Sequence, residues 1–548
     1  MNYLEKYDLW IKQKDLDPRI EEELLKMTDQ EKKEAFTNDM EFGTGGMRGI
    51  LGAGTNRLNI YIIRKASYGF GMWLKSQSDN PSAVIAYDNR HYSTEFAKET
   101  AKVFASMGIR AYVCKELRPT PYLSFAVREL HATGGVMITA SHNTKEYNGY
   151  KIYDCEGCQL VPRLADQVIE NINSVEDIFS IETEKNPTLI NEVAEDVDTK
   201  YIEMVKEISL RNDDKNIKVV YTPLHGTGSV FAPKILRQLG YDVVCVEDQM
   251  IHDPDFSSVS SANPENKQAF DKAIALGKEA KADILLANDP DADRLGIAPL
   301  HNGEYVLLTG NQTAAIVLKY LLENTKQIPE NSYLFTTIVS SNLPSKMAEK
   351  NGLKVKEVLT GFKFIGEQAK LIEKTGNYFF GFEESYGCLV SDKVRDKDAM
   401  QASLIACEAC NYYKAQGKTL VDVLNSIYEE YGYYIEGIEN IVLKGLDGAS
   451  KIQQIMDYFR NNDVNVKGIK IKEDYKLQKV YGMNKTIDLP KSNVIKYILD
   501  DESWFILRPS GTEPKLKVYF GVKAQTMNLA TTRLEQIKKE VLEIINKI

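Results

Sequence analysis

The chain of 548 residues is short of several features that would mark particular classes of protein. No stretch approaches the ~18 consecutive apolar residues that span a bilayer, so we expect no membrane partner. Residues 1–6 contain no apolar signal region, and we expect a cytoplasmic protein. The six histidines are scattered, which argues against a metal site built from imidazoles. Seven cysteines in so long a chain do not form a disulfide framework.

The cysteines include two Cys-x-x-Cys pairs, Cys155/Cys158 and Cys407/Cys410. These pairs are too far apart in sequence for a zinc ribbon, and we interpret them as reduced thiols. Basic residues are outnumbered, since 68 Lys and Arg face 78 Asp and Glu, for a net charge of −10. That balance argues against nucleic acid as a partner. The length predicts about three to five domains.

What the chain does contain is a βαβαβ pattern that occurs three times. The predicted strands are 83–87, 109–114 and 135–139, then 217–221, 242–246 and 283–287, then 333–339, 353–358 and 378–382. Such units pair their strands largely in parallel. The C-terminal part differs, because strands predicted at 475–481, 504–507 and 516–521 precede a helix over 529–546.

We therefore predict an α/β protein, with three successive βαβαβ domains and a C-terminal α+β domain around one central cleft. The expected domains are 1–210, 211–325, 326–440 and 441–548. Parallel sheets bind ligands beyond the carboxyl ends of their strands, so polar motifs at those ends indicate a site.

Each predicted domain has a polar motif directly after a strand. These motifs are Thr139–Asn143, Asn288–Arg294, Gly381–Gly387 and Arg508–Pro514. They offer a hydroxyl, three carboxylates, a Glu-x-Ser pair, and a loop with a guanidinium and backbone amides. Guanidinium groups and loop amides suit phosphate. The pattern predicts one site assembled from all four domains.

Asp289, Asp291 and Asp293 are three closely spaced carboxylates that need a cation to offset their repulsion. The loop lacks the glycine and glutamate that an EF-hand would require at Arg294 and Leu300. We predict a hard ion such as Mg²⁺, with room for a phosphate oxygen. The alternative is an acidic turn in solvent, but the position at the end of a strand favours the metal.

Ser141 taken alone is a common type of helix cap, and it lacks the Gly-x-Ser-x-Gly of a nucleophile elbow. Beside a carboxylate-bound Mg²⁺ and a phosphate loop, a serine that carries a phosphoryl group explains this motif better. Lys151, Lys397 and Glu383 are individually weak signals, as is the glycine-dense loop Glu41–Gly49.

The four motifs, in this order, resemble those of the α-D-phosphohexomutase superfamily over nearly the whole chain. The segment before Glu41–Gly49 is similar to the branch that contains bacterial phosphoglucomutases and phosphopentomutase-like enzymes. The resemblance implies interconversion of glucose 1-phosphate and glucose 6-phosphate through a phosphoserine, with glucose 1,6-bisphosphate as intermediate and activator. Phosphomannomutase, phosphopentomutase, a Mg²⁺-dependent sugar phosphatase and a non-enzymatic sugar-phosphate binding protein remain alternatives. The expected partners are small sugar phosphates, and both a monomer and a homodimer stay open.

The resemblance also implies roles for individual residues. The implied metal ligands are Ser141, through its phosphate, and Asp289, Asp291 and Asp293. The implied catalytic residues are Ser141, His142, Lys151, Lys397 and Arg48. The implied substrate-binding residues are Arg294, Thr360, Gly361, Glu383, Ser385, Arg508, Ser510, Gly511 and Thr512. Which of His142, Lys151 and Lys397 is the general acid or base is left open.

Overall fold

The computed structural model describes residues 1–43, 45–443, 448–483, 485–510 and 515–548. These residues form three mixed sheets and one antiparallel sheet, all packed with helices, so the predicted α/β class is confirmed. Short 3₁₀ helices lie at Ile178–Ser180, Pro187–Leu189, Thr227–Val230, Glu247–Gln249 and Lys267–Phe270. Within the described ranges no helix is long and apolar enough to cross a membrane.

The first sheet and the helices around it form the unit that carries the loop with Ser141. Its elements are α1 (Tyr3–Ile11), α2 (Pro18–Lys26), α3 (Asp29–Phe36), β1 (Met47–Ile50), α4 (Ile60–Gln77), β2 (Ser82–Tyr87), α5 (Ser93–Ser106), β3 (Arg110–Val113), α6 (Thr120–Glu129), β4 (Gly134–Ile138), β5 (Tyr147–Asp154), α7 (Pro162–Asn173), β6 (Ile190–Glu192) and α8 (Glu195–Lys206). Strand β2 pairs in parallel with β3 and β4, whereas β5 runs antiparallel to β4. All five positions of β4 are buried, as expected for a strand covered on both faces.

The second sheet carries the aspartate loop. Its elements are β7 (Lys218–Thr222), α9 (Ala232–Gln238), β8 (Asp242–Cys245), α10 (Asp271–Ala280), β9 (Ile284–Asn288), β10 (Leu295–His301) and β11 (Glu304–Tyr305). Strand β7 is parallel to β8 and β9, and β10 returns antiparallel to β9. The three aspartates lie in the turn between β9 and β10.

The third sheet repeats this plan. Its elements are α11 (Gly310–Asn324), β12 (Ser332–Thr337), α12 (Asn342–Lys350), β13 (Lys354–Val358), α13 (Phe362–Ile372), β14 (Asn377–Phe382), β15 (Cys388–Leu389), α14 (Ala399–Lys414) and α15 (Leu420–Tyr431). Strand β12 is parallel to β13 and β14, and β15 returns antiparallel to β14. In all three sheets the motif loop therefore joins the last strand of the βαβαβ unit to an antiparallel return strand.

The fourth sheet is antiparallel throughout. Its elements are β16 (Tyr433–Val442), α16 (Gly448–Asn461), β17 (Ile469–Asp474), β18 (Lys479–Tyr481), β19 (Lys485–Thr486), β20 (Ile495–Leu499), β21 (Trp504–Pro509), β22 (Lys515–Ala524) and α17 (Met527–Lys547). Helices α16 and α17 enclose a separate apolar core with β20, β21 and β22. The predicted phosphate loop joins β21 to β22.

Two features of the C-terminal half differ from the sequence-based expectation. Of the strand predicted at 475–481 only Lys479–Tyr481 is a strand, because the Asp474 carboxylate accepts the backbone N–H groups of Lys476 and Leu477 and turns the chain between β17 and β18. Strand β16 pairs along its full length with β22, and α11 packs on α12 and α15. We therefore propose that the third domain begins at Gly310 and the fourth at Tyr433, instead of at 326 and 441. Both elements lie outside the βαβαβ pattern from which those borders were placed.

Candidate active site

Ser141 meets the aspartate loop at the junction of the first and second domains. The Ser141 hydroxyl donates to Asp289 Oδ2 at 2.8 Å, and its oxygen lies 3.1 Å from His142 Nδ1. Ser141 has a φ of 52°, a left-handed conformation that is uncommon outside glycine. Such backbone conformations persist when surrounding contacts hold them in place.

Arg90, which sequence reasoning missed, supplies those contacts. Its guanidinium donates to four backbone carbonyl oxygens at 2.5–3.0 Å, those of Ser141, Asn143 and Thr144 in the serine loop and of Tyr147 at the start of β5. Its Nε lies 3.3 Å from Asp88 Oδ2, and both side chains are fully buried. Arg90 follows β2 closely, so the end of that strand was the available signal.

Replacing Arg90 by Lys should disturb the serine loop although the charge is kept. One ammonium cannot reproduce the planar fork that contacts four carbonyl groups. We expect kcat to fall by about 10²-fold, the scale of a 1 Å misplacement of a reacting group. Steady-state kinetics with circular dichroism would measure this. The control is Arg64→Lys, whose partner Glu99 lies on α5. Equal kcat in both variants would contradict the assignment.

The three aspartates form a compact, buried set of oxygen ligands. One carboxylate oxygen from each lies within 4.8 Å of the others. Asp289 Oδ1 accepts the N–H groups of Asp293 and Arg294 at 3.1 and 3.0 Å. In the described part of the chain, Oδ1 of Asp291 and Oδ1 of Asp293 are buried without a hydrogen-bond partner. Buried carboxylate oxygens that lack donors fit a hard divalent cation.

Two lysines from different domains face this set. Lys151 Nζ lies 2.8 Å from Asp291 Oδ2, and Lys397 Nζ lies 3.0 Å from Asp293 Oδ2. Burial would lower the pKa of both lysines, but the facing carboxylates outweigh it and raise the pKa. Burial, together with Asp291 and Asp293, raises the pKa of Asp289. The two lysines face the Oδ2 atoms of Asp291 and Asp293, which leaves the Oδ1 atoms of these carboxylates available to a cation.

The predicted basic residues around the serine are brought together. Arg48 is exposed and donates to Asn143 Oδ1 at 2.7 Å. Arg294 is paired with Glu265, an acidic partner that sequence reasoning missed. Burial, helped by Arg294 and Arg48, lowers the pKa of the His142 imidazole well below its usual range. The region is therefore rich in fixed positive charge, which suits a phosphoryl group.

The predicted sugar-binding residues come from two adjacent loops of the third domain. Glu383 Oε1 accepts the N–H of Gly361 at 2.8 Å, and Gly361 has a φ of 119° that favours glycine. Thr360 Oγ1 is buried without a hydrogen-bond partner among the described residues, and Ser385 is half-buried. Burial raises the pKa of Glu383. These groups offer a carboxylate and two hydroxyls to a polar ligand.

The fourth domain contributes a cluster of cationic side chains. Arg508 lies at the end of β21, with its guanidinium 3.4 Å from Tyr519 Oη. The N–H of Ser510 donates to the Lys515 carbonyl at 2.7 Å. Gly511 and Thr512 lie outside the described residues. Burial and the nearby Arg508 lower the pKa of Lys517, a residue that sequence reasoning missed. The cluster suits a phosphate group.

Four family models match the chain in order. They are the α/β/α domains I, II and III of phosphoglucomutase/phosphomannomutase, at residues 39–178, 199–302 and 309–431, and its C-terminal domain at 464–539. Fold, site and family models together define a four-domain phosphosugar mutase. The chain belongs to the phosphoglucomutase/phosphomannomutase family and is an enzyme of the isomerase class.

The chain is similar to two proteins named as phosphoglucomutases and to one N-acetylphosphoglucosamine mutase. The phosphoglucomutase of Staphylococcus aureus strain MRSA252 is 41% identical over 528 residues, which cover 94% of this chain and 95% of the relative. The phosphoglucomutase parafusin of Paramecium, in an open form, aligns with a TM-score of 0.69 at 19% identity, over 93% of this chain and 96% of that one. An Aspergillus fumigatus N-acetylphosphoglucosamine mutase in complex with glucose 1,6-bisphosphate aligns with a TM-score of 0.50 at 12% identity, over 97% and 99%. The two solved structures share the fold.

Proposed function

We propose that the chain interconverts glucose 1-phosphate and glucose 6-phosphate through a phosphoryl group carried by Ser141. The single observation that carries the proposal is the contact between Ser141 Oγ and the buried Asp289, with Lys151 and Lys397 on the neighbouring aspartates. The similarity to the S. aureus phosphoglucomutase supports glucose as the sugar. Glucose 1,6-bisphosphate, the ligand of the Aspergillus enzyme, is the proposed intermediate and activator.

We propose Mg²⁺ as the metal, held by Asp289, Asp291, Asp293 and the phosphate on Ser141. The unpartnered Oδ1 atoms of Asp291 and Asp293 support this assignment. When bound, the ion would supply charge neutralisation for the transferring phosphoryl group. Lys151 donates to Asp291 Oδ2 and so fixes the orientation of that carboxylate.

Other residues of the chain bind the two phosphates and the sugar and transfer the proton. Arg48 and Arg294 neutralise the transferring phosphate, while Glu383, Ser385, Thr360 and Gly361 hold sugar hydroxyls. Arg508 and Ser510, with Gly511 and Thr512, hold the phosphate that is not transferred. Among the three proton-transfer candidates, His142 lies within hydrogen-bond distance of Ser141 Oγ, whereas Lys151 and Lys397 bind carboxylates. We therefore propose His142 as the proton partner of Ser141.

In the first half-reaction a sugar hydroxyl attacks the phosphate on Ser141, and the P–O bond to the serine breaks to give the bisphosphate and a free serine. The intermediate then turns over between Arg508 and the serine loop. In the second half-reaction Ser141 Oγ attacks the other phosphate, and the P–O bond to the sugar breaks to give the product monophosphate and the phosphoserine. We also propose a cytoplasmic location, supported by seven cysteines that are all free.

An assay of glucose, mannose and ribose 1-phosphates, with and without the matching bisphosphate, tests this function. We expect the highest kcat/KM with glucose 1-phosphate and a requirement for the bisphosphate. A preference for mannose or ribose would reassign the substrate, and release of inorganic phosphate as the main product would indicate a phosphatase.

Replacing Arg508 by Ala should mainly weaken substrate capture. A hydrogen bond to a charged group contributes roughly 1.5–3 kcal/mol, which corresponds to about 10- to 150-fold. We expect the loss in KM, because the contact would hold the ground and transition states equally. Arg533→Ala, which removes an arginine paired with Asp501 in the same domain, is the matched control. A collapsed kcat with unchanged KM would move Arg508 to the transferring phosphate.

A further inference from the structure

A segment of the third domain, residues 392–398, crosses to the first domain and ends in the active site. Four side chains of the first domain hold it there. Arg128 donates to the carbonyl groups of Asp392 and Lys393, Ser124 accepts the N–H of Arg395, Tyr153 donates to Asp396, and Tyr201 donates to Asp398. We call residues 392–398 the bridge segment. Lys397, which faces the aspartate loop, belongs to it.

Asp396 links the first domain to Lys397. The Tyr153 hydroxyl donates to Asp396 Oδ2 at 2.8 Å, and both groups are buried. The other oxygen, Asp396 Oδ1, accepts the backbone N–H of Lys397 at 2.8 Å and its ammonium at 3.3 Å. Tyr153 thus holds one carboxylate oxygen of Asp396, and the other oxygen holds Lys397.

Close packing restricts the conformation of the Lys397 side chain. A Cβ at Gly387 would lie 2.0 Å from Lys397 Cδ, and the ammonium lies 5.5 Å from the centre of the Phe362 ring. The ammonium is shared between Asp396 and Asp293, which come from different domains. Its position therefore depends on where Asp396 is held.

Strand β5 places both lysines on the aspartate loop. Lys151 and Tyr153 are two residues apart on this strand, so their side chains share a face of the sheet. Lys151 contacts Asp291 directly. Tyr153 acts one step further away, through Asp396 and Lys397 to Asp293.

We propose that Tyr153 is a positioning residue, whose hydroxyl fixes Asp396 and thereby holds the Lys397 ammonium on the aspartate loop. The proposal deepens the proposed mutase function and rests on it for its kinetic consequence. The placement of Lys397 itself is a property of the free protein. Removing the hydroxyl leaves Asp396 Oδ2 without its donor, so the carboxylate turns and Lys397 loses one of its two anchors.

Tyr153→Phe tests the proposal in two ways. In the first, the full-length protein without substrate is treated briefly with an amine-acylating reagent, and modification of Lys397 and Lys151 is compared by peptide mass spectrometry. We expect modification of Lys397 to rise several-fold relative to Lys151. In the second, kcat with glucose 1-phosphate should fall by about 10-fold with KM unchanged, which is the scale of one hydrogen bond to a charged group.

Tyr150→Phe is the matched control, since it removes a buried hydroxyl on the same strand that contacts Ser67. Tyr150→Phe should change neither the modification ratio nor kcat. Wild-type modification of Lys397 in the Tyr153→Phe variant would overturn the proposal. Equal increases at both lysines would also overturn it, because they would indicate general loosening. The modification experiment needs no turnover, so a failed mutase assay in the wild-type protein would count against the proposed function alone.

Discussion

Replacing Ser141 by Ala should abolish mutase turnover, with kcat reduced by at least about 10³-fold. The serine oxygen is the atom that would carry the phosphoryl group between substrate and product, and alanine has nothing to replace it. Alanine and serine both carry a Cβ at the φ of 52°, and Arg90 holds the loop through backbone carbonyl groups, so the loop should persist in the variant. Steady-state kinetics together with a thermal melt would separate lost chemistry from lost structure.

Ser67→Ala serves as the control for this experiment. Ser67 is buried in the first domain and its hydroxyl contacts Tyr150 and Thr100, with no contact to the aspartates. That variant should keep its kcat. Peptide mapping of the wild-type protein should find phosphate on Ser141 in a fraction of molecules. A fully active Ser141→Ala variant, with phosphate on another residue, would refute the mechanism.

Removing the metal should have an effect of similar size. Exhaustive chelation should abolish activity, and Mg²⁺ should restore it. Asp291→Asn removes one anionic ligand and should lower both Mg²⁺ affinity and kcat by at least about 10²-fold, since even partners behind a ligand typically contribute 10- to 100-fold. Isothermal titration with Mg²⁺ and a kinetic titration would measure the two effects.

Asp283→Asn is the control for the metal experiment, because Asp283 lies in the same domain and binds Lys414 and the N–H of Lys218. That variant should titrate like the wild type. Full activity after exhaustive chelation would refute the metal assignment, whatever the result for Asp291.

The positions of the motif loops followed from the sequence because strand periodicity is local. The predicted strands 135–139, 283–287 and 378–382 differ by at most one residue at each end from β4, β9 and β14. A polar motif directly after such a strand lies at the carboxyl edge of the sheet. The fold class and the four-domain organisation were predictable for this reason.

Residues that act through tertiary contacts were not predictable in this way. In the sequence, Arg90 has the pattern of a surface cation and Tyr153 that of a core aromatic residue. The carbonyl groups that Arg90 binds and the carboxylate that Tyr153 binds lie 50 or more positions away in the chain. Glu265 and Lys517 gave no signal because neither lies in one of the four motifs, although their partners Arg294 and Arg508 do. The turn after Asp474 depends on a side chain that accepts backbone N–H groups, which alternation of apolar residues does not reveal.

The most direct test of the central claim follows one phosphoryl group through the enzyme. The wild-type protein is incubated with glucose 1,6-bisphosphate labelled in both phosphates, and the products and the protein are then separated. The account predicts label on Ser141 and in glucose 1-phosphate and glucose 6-phosphate, with label on the protein chased into bisphosphate by unlabelled glucose 6-phosphate. Label found chiefly in inorganic phosphate, with none on Ser141, would contradict it.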